Sequence, residues 1–365
     1  MKKSCLVFCL AAWLVTTADA ETVSGFAVSH RLQEAPGNIA VSADGRVFIS
    51  LHQFYEPRYS VVEVRPDGSI TPFPNAAMND RSAASAPHLD SVLGIRADSQ
   101  GIVWMLDNGM RGQVPPKLVA WDLGANKLHK IIEFPPAIAP KGEFVNDLAI
   151  DTRRHAIYIS DPASGQDAGL IVVDLQTNKL RRVLQGHASM LPEPVDLEID
   201  GRPLQIKDKS GALNRPHIGV NPITIDARFE WVYYGPMHGL SLYRIKAADL
   251  ANAALTDADL ASLIERYSSK PISDGMSIDD QDNIYLGDLA HNAIGAITPD
   301  RKFQTLAKAK DLSWVDSFSF GPKGQLYAVV NRLHQTAILN GGDAASKPPY
   351  FILTVRSLAP GTPGR

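Results

Sequence analysis

The alternation of apolar and polar positions along the chain repeats one two-strand phrase. An apolar strand runs into a short turn, and a second strand rich in Val, Ile, Tyr and Trp follows at once. The phrase occupies residues 38–50, 93–107, 146–161, 221–235, 274–288 and 316–331. Asp44-Gly45, Asp98-Ser-Gln-Gly101, Asp279-Asp-Gln-Asp282 and Pro322-Lys-Gly324 suit hairpin turns, because Asp bonds nearby backbone and Gly accepts positive φ. Third strands are read at 60–65, 117–122, 169–175, 240–245 and 293–298, with weaker fourth strands at 127–134 and 179–184. A sheet of about four strands cannot hide both faces alone, so copies at roughly 40–75-residue spacing predict stacked blades. Six copies predict an all-β, six-bladed β-propeller. The third strand of the sixth blade is read at 350–358, which leaves that blade without an outer strand. Residues 25–32 alternate correctly to supply it and close the ring from the other end of the chain.

Two insertions interrupt the pattern. Residues 247–267 place Leu250, Leu255, Leu260, Leu263 and Ile264 near helical spacing, with Thr256 as N-cap, and predict helix against a blade. Residues 190–217 are polar, rich in Pro and Gly, and long for a connection. They are expected over one end of the channel. The domain reading is a cleaved signal at 1–20, one propeller domain at 21–358 and a disordered tail at 359–365.

The signal reading rests on Lys2 and Lys3, the apolar stretch from Leu6 to Val15, and the Ala18-Asp-Ala20 cleavage pattern. It implies a periplasmic or secreted protein, with no membrane attachment after cleavage. Cys5 and Cys9 leave with the signal, so the mature chain is expected to hold no disulfide, thiolate ligand or thiol nucleophile. Loss of Lys2, Lys3 and Asp19 takes the formal net charge from −3 to −4. With no basic cluster, a nucleic-acid or anionic-membrane partner has no electrostatic footprint in this sequence.

In a propeller, the start of each inner strand and the turn after each second strand share one face. The strand starts are Asn38, Asn146 with Asp147, Asn221, Asp274 and Asp316. The turns carry His52, Asp107 with Asn108, Asp161, His238, Asp288 with His291, and Asn331 with His334. Converging oxygens suit a hard cation such as Ca2+. The competing role for each Asp or Asn is to cap loop backbone. No H-x-H, H-E-x-x-H, G-x-S-x-G, phosphate-loop or dinucleotide pattern is present. Trp104, Trp121, Trp231 and Trp314 read as core, while Phe54, Tyr55, Tyr59 and Met237 fall in channel-mouth loops.

Several segments carry a family resemblance. They are Ile218-Gly-Val-Asn-Pro-Ile-Thr-Ile-Asp226, Trp231-Val-Tyr-Tyr-Gly-Pro-Met237, Leu242-Tyr-Arg-Ile245 with Ala248-Asp-Leu250, and Lys270-Pro-Ile-Ser-Asp-Gly-Met276. His291-Asn-Ala-Ile294, Trp314-Val-Asp316 and Val330-Asn-Arg332 belong with them. Together they resemble the major royal jelly/Yellow family from about Leu89 to Arg332. The resemblance implies a six-bladed propeller but no single activity. Members include storage proteins, salivary traps for small amines, and proteins of catechol pigment synthesis.

The chain is more distantly similar to gluconolactonase/regucalcin propellers, which hold a divalent metal in the channel. That similarity implies metal ligation by Asn146, Asn221 and Asp274, with Asp274 catalytic if a lactone is hydrolysed. The expected first-blade glutamate is absent, and Asn38 is its nearest equivalent. The leading expectation is therefore a binder of a small aromatic or cyclic ligand. Its site is expected at Asn146, Asp147, Asn221, Asp274 and Asp316, rimmed by His238, His291 and His334. A metal-dependent lactonase or isomerase in the same channel is the alternative.

Overall fold

The computed structural model of the protein describes residues 25–82, 87–140, 144–163 and 165–365; the segment read as an export signal lies outside them. Six four-stranded antiparallel sheets form the propeller. The inner strands are Pro36–Val41, Val92–Ala97, Asp147–Asp151, Val220–Ile225, Met276–Ile278 and Val315–Phe320. Five of the blades take four strands from consecutive sequence. The sixth combines Val315–Phe320, Leu326–Val330 and Tyr350–Val355 with Phe26–Leu32, which pairs Phe26 to Val355 and Leu32 to Tyr350. The closure expected from the sequence is thus present.

The strands read as near-continuous apolar runs because both faces are covered. Ile102–Asp107 and Ala156–Asp161 are buried at every position, whereas the outer Lys127–Glu133 alternates toward solvent. Each blade–blade junction holds its own apolar cluster. Tyr158, Leu170, Ile223 and Tyr234 fill the third-to-fourth junction. Ile39, Ile49, Val329 and Ile352 fill the sixth-to-first, across the closure. Burying one such side chain contributes about 1.5–3 kcal/mol, so the ring is held by the sum of six junctions.

Residues 247–267 depart from the helical expectation. Helices Ala247–Ala251 and Asp257–Ser262 form, the second with the Thr256–Asp259 capping box. The chain then becomes the strand Glu265–Ser269, which pairs with Ser241–Lys246 as the outer strand of the fourth blade. The open sheet edge outcompetes helical spacing, and Arg244 bonded to Glu265 and stacked on Tyr267 fixes the pairing.

The tail is a second correction. Residues 359–365, expected to be disordered, lie across the underside of the ring. The backbone N–H of Phe320 donates to the Arg365 carbonyl at 2.5 Å, Gly364 donates back to Phe320 at 2.7 Å, and Thr362 bonds Asp280 at 2.8 Å. The physical cause is a concave, partly apolar floor that the tail fills, with Arg365 over the Phe229 ring.

Candidate functional site

The opposite face carries the convergence anticipated from the strand starts. In four inner strands the ladder slips register near its upper end, between Pro36 and Ile39, Val92 and Ile95, Val220 and Ile223, and Val315 and Ser317. Such irregularities re-aim side chains, and Asn38, Asn221 and Asp316 sit within or beside them. Two glycines let neighbouring strands close up. A Cβ on Gly94 would meet the Asn146 carbonyl at 2.5 Å, and one on Gly275 would meet the Asp316 carbonyl at 2.5 Å.

A cavity of about 380 Å³ results, with Asn38, Asn146, Asp147, Asn221, Asp274 and Asp316 among its lining. Phe54, Phe144, Met237 and Trp314 supply apolar wall beside His52, and Ile206, Pro216 and His217 of the 190–217 insertion roof it with the adjoining Ile218. Two short hairpins anchor that insertion, Glu198–Ile199 with Arg202–Pro203 and Ile206–Lys207 with Leu213–Asn214. Leu197, Ile199 and Leu204 bury against Trp314, Leu289 and Leu333. The insertion therefore lies over the channel mouth, as its length and composition suggested.

Nearly every polar group on the cavity floor has an identifiable partner. Asn38 donates from Nδ2 to Asp147 Oδ1 at 3.0 Å, while its Oδ1 accepts from Arg96 Nη1 at 2.7 Å and Ser317 Oγ at 2.6 Å. Arg96 Nη2 also stands 3.7 Å from Asp147 Oδ1. Asn146 Nδ2 donates to Asn221 Oδ1, and Asn221 Nδ2 to Asp274 Oδ1 at 2.7 Å. The indole Nε1 of Trp314 donates to Asp274 Oδ2 at 2.8 Å, and Asn331 Nδ2 to Asp316 Oδ2 at 2.5 Å.

Three carboxyls and one guanidinium buried close together have consequences for ionisation. Burial pushes Asp274 up to about 7, with the neighbouring Asp147 adding to the rise and the Trp314 and Asn221 hydrogen bonds opposing it. Burial also raises Asp316 well above the usual carboxylate range, reinforced by Asp274. Asp147 is raised by burial and held back by Arg96. Behind Asp274, burial lowers the Lys270 ammonium to about 7; it donates to the Gly239 carbonyl at 2.9 Å and Ser273 Oγ at 3.2 Å.

The rim histidines are not brought together with the floor. His238 is fully buried, its Nδ1 accepting from the Ile218 N–H at 3.1 Å, and burial lowers it to about 4. His291 is exposed and bonded to Asp288 at 2.8 Å. Both His291 and His334 line a separate surface cleft of about 980 Å³ with Asp200, Arg202 and Lys308. His334 stacks on Trp314, ring centres 6.0 Å apart and planes 6° from parallel. The sequence located these loops on the correct face but not which way their side chains turn. His52 and His217 reach the channel instead. Asp107 and Asp161 are loop caps: Asp107 accepts from the N–H groups of Ser91 and Gly109, and Asp161 from those of Phe144 and Ala163.

Sequence reasoning missed Arg96, and it read Trp314 as core without its place on the channel wall. A lone Arg inside the otherwise apolar strand Val92–Ala97 was the available signal for the first. Trp314 is indeed buried, but it also lines the channel and bonds Asp274 from a left-handed backbone, φ 63°. Such a φ is uncommon for a bulky residue and clusters at functional sites.

The Ca2+ expectation meets a donor set already in use. Both Asp274 oxygens accept hydrogen bonds, one of them from an indole N–H that cannot reverse, and Asn221 Oδ1 accepts from Asn146. Asn38, in place of a glutamate, is bonded to Arg96. Among the described residues no group of three His, Cys, Asp or Glu side chains is placed to hold a metal ion. These residues do not fit a divalent cation.

Fold and floor together define a six-bladed propeller with a roofed, polar-floored channel. Residues 90–344 match the major royal jelly protein family, and the chain belongs to that family. Major royal jelly protein 3 of Apis mellifera is 27% identical over 173 residues, 44% of this chain but only 29% of that protein's length. Similar solved structures share the fold at low identity. A gluconolactonase from Xanthomonas campestris matches at TM-score 0.54 and 12% identity, over 92% of this chain and 90% of that one. A calcium-binding protein, regucalcin, from Agrobacterium tumefaciens matches at 0.55 and 12%, over 94% and 99%. A luciferin-regenerating enzyme matches at 0.57 and 12%, over 93% and 98%.

Proposed function

We propose that the channel binds a small aromatic or cyclic organic molecule that presents a positive charge or hydrogen-bond donors to the floor. One observation carries this reading: Asp147, Asp274 and Asp316 all line one ring-walled cavity, with Arg96 3.7 Å from Asp147. A cavity near 380 Å³ is within the usual range for small-molecule sites. Phe54, Phe144 and Trp314 offer flat apolar faces, and buried acceptors orient the polar end. The reading rests on this chain's own residues, not on the activities named for its structural neighbours. Calorimetric titration with a panel of aromatic amines, sugars and lactones tests it. Binding that Asp274→Asn and Asn221→Ala weaken supports it, and panel binding untouched by both variants removes the floor from the site.

Asp274, with an acidity near neutrality, is the feature that favours proton transfer on the bound molecule, as an isomerase or lactonase would need. Turnover of a lactone panel by wild type and its loss in Asp274→Asn tests that second reading. Residues 1–20 support a periplasmic or secreted site of action, checked by fractionation and the mass of the mature N-terminus.

A further inference from the structure

We propose that Arg96 is a specificity-determining residue that excludes divalent cations from this channel, its guanidinium standing as a tethered cation where related propeller geometry would recruit a metal. The side chain rises from the second blade into the bore, and the residue is only 4% exposed. It reaches three other blades: Asn38 Oδ1 of the first at 2.7 Å, Asp147 Oδ1 of the third at 3.7 Å, and the Met276 carbonyl of the fifth at 3.5 Å. It thereby forms a septum. Above it lies the ligand cavity; below it lies a void of about 40 Å³, also lined by Gly364 and Arg365 of the tail.

Three features make this septum incompatible with a metal. The guanidinium is a delocalised cation tethered to the second blade, so it cannot leave to admit another cation. Its position occupies the Asn38 oxygen, the first-blade oxygen that a metal would take. Asp274, the carboxylate best placed across the floor, has one oxygen on Asn221 and the other on Trp314. A divalent ion would have to displace these donors and approach Arg96 in a low-dielectric enclosure where like charges repel strongly.

The test is Mn2+ and Ca2+ titration of the whole protein, read by the electron paramagnetic resonance signal of free Mn2+ and by melting temperature. Wild type is expected to take up no stoichiometric Mn2+ at about 1 mM, the weak end of protein calcium affinities. Its melting temperature is expected to stay put when Ca2+ is added. Arg96→Met removes the charge with little loss of volume. It is expected to bind Mn2+ at least tenfold more tightly than wild type and to melt higher with Ca2+. Arg96→Lys is expected to keep the exclusion.

One Mn2+ per wild-type chain overturns the inference whatever the variants do. A folded Arg96→Met that gains no metal affinity also overturns it. If Arg96→Met does not fold, Mn2+ uptake by Arg96→Lys equal to that expected of Arg96→Met counts against the inference, and continued exclusion counts for it. The inference does not rest on the organic-ligand reading. Ligand binding that requires added metal sinks this proposal alone, while absence of any organic ligand sinks only the other.

Discussion

The indole N–H of Trp314 donates to Asp274 Oδ2 at 2.8 Å, tying the residue that precedes the sixth blade's inner strand to the start of the fifth. This one bond couples a left-handed backbone position to a strongly perturbed carboxyl on the floor. It also keeps the indole plane between the channel and the cleft that holds His334.

Trp314→Phe keeps the ring but leaves a buried carboxyl oxygen without its donor. The expected cost is about 1–3 kcal/mol of folding stability. Urea denaturation of the two proteins checks it. An unchanged midpoint would show that the bond contributes nothing net.

Asp274→Asn is expected to weaken channel ligands about tenfold or more, equivalent to about 1.4 kcal/mol of lost interaction. Stability is expected to change by less than about 1 kcal/mol, because the Asn221 and Asn146 amides can reverse to receive the new N–H group. Calorimetry reads the first effect and chemical denaturation the second. A variant that binds normally excludes Asp274 from ligand contact.

Stability is expected to dip near neutral pH. The unfolded Asp274 carboxyl loses its proton near about pH 4, but the native one holds it to about 7, faced by Asp147, Asp316 and Lys270. Across that window the native state binds more protons than the unfolded state, so this group lowers stability as pH rises. Lys270 acts in the opposite sense. Its native ammonium discharges near 7 while the unfolded one stays protonated to about pH 10.4, so stability recovers as pH rises above neutrality. Denaturation midpoints from about pH 4.5 to 9.5 give the profile. Asp274→Asn should reduce the fall on the acid limb and Lys270→Met the rise on the alkaline limb; a profile that neither variant changes would contradict both assignments.

Removing residues 25–32 deletes the outer strand of the sixth blade and exposes the edge of Tyr350–Val355. An open propeller with a bare strand edge is expected to associate or unfold rather than persist as a monomer. Size-exclusion chromatography with light scattering reads the outcome. Ending the chain at Leu358 is expected to be milder. It loses the Phe320 and Asp280 hydrogen bonds, each worth about 0.5–1.5 kcal/mol, and leaves the closure intact.

Much of the molecule was legible in local pattern because each blade is a local object. The Asp/Gly turns, the paired apolar strands and the free alternation of residues 25–32 carry their own steric reasons, and the six-fold count follows from repetition. The floor acids were legible for the same reason: a strand start has only one place to go in a propeller. Asn146, Asp147, Asn221, Asp274 and Asp316 are all on the cavity wall.

What the tertiary structure alone decided is direction and partnership. His238, His291 and His334 occupy loops of the anticipated face, yet their rings turn into core or into a neighbouring cleft, since short loops are oriented by what packs on them. Residues 265–269 follow the open edge of a sheet against helical spacing, and residues 359–365 are ordered by the concave floor they fill. Arg96 and Trp314 acquire their roles from residues 51 and 40 positions away, Asp147 and Asp274. No periodicity within a strand encodes such pairs; they exist only once the ring has closed and placed the blades around one axis.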